Sequence, residues 1–341
     1  METQKMKTAV VVLNWNGKNW LEKFLPTLVK HSKDEATVFI ADNASTDDSI
    51  EFVQDNYPEV EIIANKSNGG YAKGYNDALR KISAEYFVLV NSDIEATDKW
   101  LSPLIKLMDE DEDIAACQPK ILDYNNRLKF EYAGASGGFI DHLGYPFCRG
   151  RIFDTLEEDK AQYNNTTEIF WATGACFIVR ASRFWEVGGL DEDFFAHQEE
   201  IDLCWRLKNK GHKIMAEPKS TVYHVGGATL NTESPFKTYL NFRNNLYMLF
   251  KNLPITSLLS VIPIRLQLDG IAAFTFLKKE KGIQHFFAIG KAHFAFYIAI
   301  PKLIAKRKEI NQRRNLKGKI KQSILLKNKI KNIKHFSDLQ I

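Results

Sequence analysis

Apolar and polar positions alternate in blocks through the first 90 residues. Short apolar runs at Thr8–Leu13, Thr37–Ala41, Val60–Ala64 and Tyr86–Val90 predict four β-strands. Between them, Trp20, Leu21, Phe24, Leu25 and Leu28 fall at helical spacing, and Thr46 is a candidate N-cap for a helix over Asp47–Asn56 that stops before Pro58. Alternating strands and helices imply a parallel sheet with right-handed crossovers. Ligands of such sheets bind beyond the carboxyl ends of the strands. Four polar clusters fall there: Asn14-Trp15-Asn16, Asp42-Asn43-Ala44-Ser45, Lys66-Ser67-Asn68-Gly69-Gly70 and Asn91-Ser92-Asp93.

Further along, the pattern predicts a helix over Asp98–Asp109 and a strand over Ile114–Leu122. Residues 123–168 are irregular, and a loop of that length inside a domain is commonly functional or a lid. A strand over Ile169–Val179 interrupted by Gly174, a helix over Glu199–Asn209 stopped by Gly211, a last strand over Thr221–Val225 before Gly226-Gly227, and a helix over Phe236–Leu253 follow. From Ile255 to Ile304 apolar residues dominate but are interrupted by Arg265, Asp269, Lys278–Lys281 and Lys291, the pattern of amphipathic helices. The expected organisation is an α/β domain over residues 1–253 and a C-terminal amphipathic, basic helical region over 254–341.

Charge sharpens that division. The chain carries a net +4, yet residues 301–341 hold 13 Lys/Arg against 2 Asp/Glu, and the other 300 residues 33 against 40. A basic tail on an acidic body suggests an anionic partner, and an anionic membrane surface suits apolar helices beside it. No aromatic-basic module points to nucleic acid. The longest uncharged C-terminal stretch, Asn252 to Ile264, has two prolines and falls short of the roughly 20 residues of a spanning helix, so no membrane-crossing segment is expected. The N-terminal apolar run is short and lacks a cleavage site, which favours a first strand over a signal peptide. Cys117, Cys148, Cys176 and Cys204 are widely spaced and form no CxxC pair, which points to reduced thiols in a cytoplasmic protein.

No GxGxxG follows the first strand and no GxxxxGK[ST] occurs, so hydride transfer and P-loop chemistry lack support. Asp42 at a strand end can accept from a ribose or base edge, although a turn and helix cap would use it equally well. Gly69-Gly70 before Lys73 opens a helix whose N-terminus favours an anion. Asp93 sits where Mg²⁺ or Mn²⁺ bridges two phosphates, a role for a hard oxygen donor. His224 ends a late strand and is a candidate second ligand, though a lone His is more often a structural hydrogen bonder. The helix dipole explains one or two of Glu199, Glu200 and Asp202, but not all six carboxylates among Asp191, Glu192, Asp193, Glu199, Glu200 and Asp202. A site handling a cation or a hydroxyl proton does.

Seven segments together carry a resemblance: Val10–Gly17, Ala41–Ser49, Asn65–Leu79, Val88–Asp93, Phe170–Arg180, Gly188–Gly211 and Tyr223–Leu230. In this order the chain resembles family 2 glycosyltransferases of the GT-A fold, most of all the bacterial rhamnosyltransferase-like branch of surface polysaccharide synthesis. The resemblance implies an inverting, metal-dependent transfer from a dTDP- or UDP-sugar, dTDP-rhamnose among them, to a polyprenyl-linked or polysaccharide acceptor at the cytoplasmic face of the membrane. It implies that Asn14, Asp42 and Asn43 hold the nucleoside, that Asn68, Gly70, Lys73, Asn91 and Ser92 line the donor, and that Asp93 and His224 bind the metal. Glu200 takes the place of the catalytic base, with Glu199 as its rival. Trp171, Thr173, Gly174 and Asp202 face the sugar and acceptor. Two positions depart from the family: Asn91 replaces the first carboxylate of the DxD-type motif, and the base is Glu where Asp is usual. The QxxRW motif of processive synthases is absent, since Gln312-Arg313-Arg314-Asn315 does not match it, which suggests addition of one or a few sugars. A non-catalytic nucleotide-sugar or glycan binder on the same fold, and a nucleotidyltransferase, are the alternative readings.

Overall fold

The computed structural model describes residues 6–226, 234–278, 280–309 and 315–339. Strands β1 (Met6–Asn14), β2 (Thr37–Asp42), β3 (Glu61–Ala64) and β4 (Ala84–Asn91) are parallel, β1 pairing with β2 and β4 and β2 with β3. Helices α1 (Lys18–Ser32), α2 (Ser49–Asn56) and α3 (Gly70–Leu79) make the crossovers. Strand periodicity divides the apolar residues between two cores: Ala9, Val11, Phe87 and Leu89 face one, while Val10, Val12, Val88 and Val90 face the other. Strands buried on both faces read as unbroken apolar runs, which is why β1, β2 and β4 were legible; β3, at the end of the sheet, is exposed to partly buried.

Next come β5 (Ile94–Ala96), α4 (Ser102–Glu110) and β6 (Ile114–Asp123). Residues 123–168 are not one loop. They fold β7 (Gly138–Ile140), β8 (Pro146–Cys148), β9 (Arg151–Ile152) and β10 (Thr155–Leu156) into a small antiparallel sheet. The strand expected over 169–179 is two strands, β11 (Thr167–Ile169) and β12 (Cys176–Arg180). Between them the backbone leaves the main sheet to bond Gly138, with Phe170 N to Gly138 O at 2.8 Å and Gly138 N to Trp171 O at 3.1 Å. After α5 (Ala181–Glu186) and α6 (Glu199–Asn209), β13 (Lys213–His224) closes the order β11-β13-β6-β12-β4-β1-β2-β3, with β5 on β13. β13 starts well before the expected Thr221, and a register shift between Glu217 and Thr221 accommodates Pro218. Thr46 caps nothing. Asp48 precedes α2, and Asp47 accepts from Ser49 N and Lys18 N.

The C-terminal part holds α7 (Pro235–Asn252), α8 (Ile255–Phe276), α9 (Gly282–Glu309) and α10 (Ile324–Lys329). The expectation that no helix is long and apolar enough to cross a membrane does not hold: α8 and α9 both are, by length and composition. The charges taken to interrupt α8 do not do so, because Arg265 and Asp269, one turn apart, are buried and paired at 3.1 Å. Segment 315–339 lies along the small sheet: Ile324 N donates to Asp141 Oδ2 at 3.0 Å, and Phe336 stacks among Phe139, Phe147 and Tyr163. Gly227 to Leu230 of the Tyr223–Leu230 segment, and Gln312 to Arg314, lie outside the described residues.

Candidate active site

The carboxyl ends of β1, β2 and β4, with the loop after β3, converge as the sequence implied. Buried Asn14 donates from Nδ2 to Asp42 Oδ1 (3.1 Å), Ser45 Oγ (3.1 Å) and Ser49 Oγ (2.8 Å). Asn43 donates to Gly70 O at 3.0 Å and accepts from Asn65 at 2.9 Å, while Asn68 Oδ1 accepts from Gly70 N at 2.9 Å. This lattice of amides fixes the 42–45 and 65–70 loops without a net charge beyond Asp42. Asn91 and Ser92 stay half-exposed at the end of β4. Lys73 is turned along α3 to Asp77 at 2.8 Å and Glu192 at 3.9 Å.

Gly70 has φ +77°, and a Cβ there would sit 2.5 Å from Phe195 O. The absence of a side chain lets Tyr71 N donate to Phe195 O at 2.7 Å, so the 194–198 loop docks on the start of α3. That loop is strained: Phe195, His197 and Gln198 all have positive φ. Such outliers persist only where the surroundings over-determine them. Here α7 does so, Asn244 Nδ2 donating to Phe194 O, Ala196 O and His197 O at 3.0, 2.8 and 2.7 Å, and Asn245 to Gln198 Oε1 at 3.1 Å. Nothing in the sequence pattern singled out these asparagines, which read as the polar face of a helix.

The strained loop delivers Glu199 and Glu200 at the start of α6. Glu199 is fully buried, and its Oε2 has no hydrogen-bond partner among the described residues. Burial, and then the neighbouring Glu200 and Asp202, push its carboxyl well above the usual range, which favours the protonated form. Glu200 is enclosed by protein on most sides but keeps part of its surface open, and its Oε2 too has no hydrogen-bond partner among the described residues. Burial raises it to about 7, while backbone amides of the first helical turn and of Gly174 restrain the rise. Of these two adjacent carboxyls, Glu199 is raised the further by burial, and Glu200 is poised near neutrality, the range that suits a general base. Gly174 borders Glu200, its carbonyl accepting from Tyr71 OH at 2.6 Å, and next to it Ala175 O accepts from Asn91 N at 2.9 Å. The Gly174-Ala175 turn thus joins the Glu200 loop to the Asn91-Ser92-Asp93 strand end.

Asp93 and His224 meet as expected, Oδ1 to Nε2 at 3.1 Å, both buried. A third member was missed: Glu131 Oε1 lies 3.2 Å from His224 Nδ1, and its other oxygen accepts from Ala133 N at 2.6 Å. Burial alone would depress the imidazole, but Glu131 and Asp93 outweigh it and hold His224 up at about 10. Glu131 carried no signal because it lies in the stretch that periodicity left irregular. Among the described residues no group of three or more His, Cys, Asp and Glu has metal-holding geometry. Asp93 and His224 still offer one oxygen and one nitrogen within 3.1 Å of each other. These are donors a divalent cation would accept, so Asp93 and His224 would hold one once His224 released its proton.

Three expected acceptor-side residues do not reach this cleft. Trp171 is buried, its indole N–H donating to Phe139 O at 2.8 Å and its ring pressed on Gly138. Buried Thr173 bonds its own turn, accepting from Ala175 N and donating its amide to Gln118 Oε1 at 3.0 Å. Asp202 lies on the opposite side of α6 from Glu200, saturated by Arg206 (2.7 Å), Lys251 (2.9 Å) and Asn252 (2.8 Å). A cavity of about 540 Å³ opens on that far side, between Arg80, Trp185, Asp191 and Lys251, and contains neither Glu200 nor Asp93.

A parallel sheet with an asparagine-aspartate lattice at its ends, a strand-end Asp and a poised Glu on a later helix defines a nucleotide-sugar glycosyltransferase of the GT-A fold. The glycosyl transferase family 2 model matches residues 9–188, and the chain belongs to that family. It is 25% identical over 233 residues to the N-acetylglucosaminyl-diphospho-decaprenol L-rhamnosyltransferase of Mycobacterium tuberculosis (strain CDC 1551 / Oshkosh), covering 63% of this chain and 75% of that one. Among solved structures, S. aureus TarS 1-349 in complex with UDP superposes with a TM-score of 0.54 at 18% identity, over 90% of this chain and 89% of that one. GalNAc-T7 with UDP, GalNAc and Mn²⁺ superposes with a TM-score of 0.57 at 15% identity over 73% of this chain, which spans about half the length of that structure, 48%.

Proposed function

We propose that this glycosyltransferase moves a hexosyl or deoxyhexosyl group from a nucleoside-diphosphate donor to a lipid-linked glycan, with inversion at the anomeric carbon. The observation that carries the reading is Glu200, a carboxyl raised to about 7 with one oxygen lacking a partner among the described residues, joined by the Gly174-Ala175 turn to the Asp93 strand end. Asn14, Asp42 and Asn43 would bind the nucleoside, and Asn68, Gly70, Asn91 and Ser92 the length of the donor. Glu200 takes the proton of an acceptor hydroxyl as its oxygen bonds to the anomeric carbon. The bond from that carbon to the diphosphate breaks, and the nucleoside diphosphate leaves with its electron pair.

Asp93 and His224 would hold a divalent cation, Mg²⁺ or Mn²⁺, which when bound neutralises charge on the leaving diphosphate. Support comes from the donor pair itself and from the Mn²⁺ of GalNAc-T7. The decaprenol-linked substrate in the relative's name supports a polyprenyl-linked acceptor, and with it work at the cytoplasmic face of a membrane.

Asp93→Ala is expected to abolish the gain in nucleoside-diphosphate affinity that Mn²⁺ provides, read by calorimetric titration with and without the metal. An affinity gain equal to wild type would remove Asp93 from this role.

A further inference from the structure

The outer surface of α8 carries no charge at all. Ile255, Leu259, Ile264, Ile271 and Phe274 are exposed there, between 42% and 74%, while the helix's only charged residues, Arg265 and Asp269, are buried against the body. α9 continues the surface with Ile283, Phe287, Phe294, Tyr297 and Ile298, each more than half exposed, interrupted by exposed Lys291, whose ammonium lies 5.3 Å from the Tyr239 ring centroid. A helix facing water would place its charges outward. An exposed apolar surface of this extent marks a contact with lipid or protein.

Neither helix is free to leave the body and cross a bilayer. α9 lies along α7 for its length, from Thr238 Oγ1 to His285 Nδ1 at 2.8 Å, through Tyr247 OH to Ala295 O at 3.3 Å, to Arg307 Nη1 on Phe250 O at 2.6 Å. Lys302 and Lys306 near its end pair with Asp193. α8 is tied through Arg265, which donates to Leu143 O at 3.2 Å. Spanning would carry α7 and the α/β body into hydrocarbon, where their polar groups would go unpaired. The hairpin therefore has one protein face and one apolar outer face, the geometry of an element lying in the membrane plane.

Charge indicates which occupant covers it. Exposed Lys278 and Lys281 mark the α8–α9 turn. At the other side, the 140–145 loop that takes Arg265 also takes the lysine-rich segment 315–334, through Ile320 N on Ile140 O and Ile324 N on Asp141. Basic residues bordering an apolar face suit anionic headgroups. The turn also lies near the catalytic loop, since His285 bonds Thr238 at the start of α7, and Phe236 there packs on Phe195 with centroids 6.0 Å apart.

We propose that the outer face of the α8–α9 hairpin inserts in the plane of an anionic bilayer, with its turn on the side of the Glu200 loop, so that the site opens at the membrane surface. That it receives a lipid-linked acceptor there rests on the proposed function; the insertion itself does not.

The test is flotation of the full chain with phosphatidylcholine vesicles, with and without phosphatidylglycerol. Wild type is expected to float with the anionic vesicles. Phe274→Asp with Phe287→Asp should abolish this, and Lys278→Glu with Lys281→Glu should weaken it on anionic vesicles alone, by roughly tenfold. All four positions are exposed, so circular dichroism and nucleoside-diphosphate binding in solution should match wild type. A dye on Ile271→Cys, selective because the four native thiols are buried, should be quenched more by lipids brominated near the headgroup than at the chain end. Flotation of the aspartate variant equal to wild type, or quenching strongest at the chain end, overturns the proposal. So does a wild-type dimer that ignores vesicles and that the aspartate pair dissociates. Loss of nucleotide binding in wild type would instead defeat the glycosyltransfer reading and leave the vesicle result standing.

Discussion

Replacing Glu200 by Gln is expected to lower sugar transfer by about 10²–10⁴-fold, the range for a lost general base, while nucleoside-diphosphate affinity is unchanged. The amide has the same shape, so the Gly174 turn and the first turn of α6 keep their geometry. The wild-type rate should rise with pH through about 7, because only the deprotonated carboxylate accepts the hydroxyl proton. The sign for stability is opposite. The folded state holds this proton more tightly than a free Glu does, so ionisation costs stability as pH climbs from the ordinary 4.5 towards 7. Glu200→Gln should thus be more stable than wild type at alkaline pH, measured as a higher Tm, while losing transfer. A variant that keeps wild-type turnover would move the base to Glu199, and its pH profile would show where that group titrates.

Lys251→Met carries the largest expected loss of stability. Lys251 is buried and bridges Asp191 and Asp202, which Arg206, Asn252 and Lys306 also contact. Burial alone would raise the Asp191 carboxyl, but Lys251 and Lys306 overcome it and hold it far below the usual carboxylate range. Removing Lys251 leaves Asp191 with Lys306 and Asp202 with Arg206, but takes from both buried carboxylates the cation they share; breaking such a buried pair costs up to about 3–5 kcal/mol. Chemical denaturation at neutral pH should show that loss. The native network is stabilising above the ordinary carboxylate pKa and is lost as pH falls through the lowered folded value, so the gap between variant and wild type should close on acidification. A loss that does not shrink at low pH would mean that Lys251 acts through its packed stem and not its charge.

These residues also show what the sequence could and could not reveal. The strand ends at Asn14, Asp42 and Asn91 were legible because a doubly buried parallel strand is an unbroken apolar run, and its end is marked by the first polar side chain; Asp93 lies two residues past the last of them. Glu200 was legible through the helix start it shares with Glu199. Asp202, implied by the resemblance, falls on the other side of α6 from Glu200, since positions two apart on a helix point away from each other. Trp171 and Thr173 came from the family resemblance, while the apolar pattern read 169–179 as one strand interrupted by Gly174. Its break answers to a partner, Gly138, in strands of two or three residues, too short for periodicity to register. Glu131 was hidden in the same stretch. The α8 charges looked like interruptions because sequence cannot show that Arg265 and Asp269 neutralise each other inside the fold.

Transfer itself tests the central claim most directly. Labelled dTDP- and UDP-sugars, incubated with the protein, Mn²⁺ and a polyprenyl-diphosphate-linked glycan, are followed for label in the lipid-linked product and for its anomeric configuration. One donor is expected to label the product, with configuration inverted and the label lost in Glu200→Gln. Donors that bind yet release no sugar to acceptor or water would contradict the account and leave a nucleotide-sugar-binding protein on this fold.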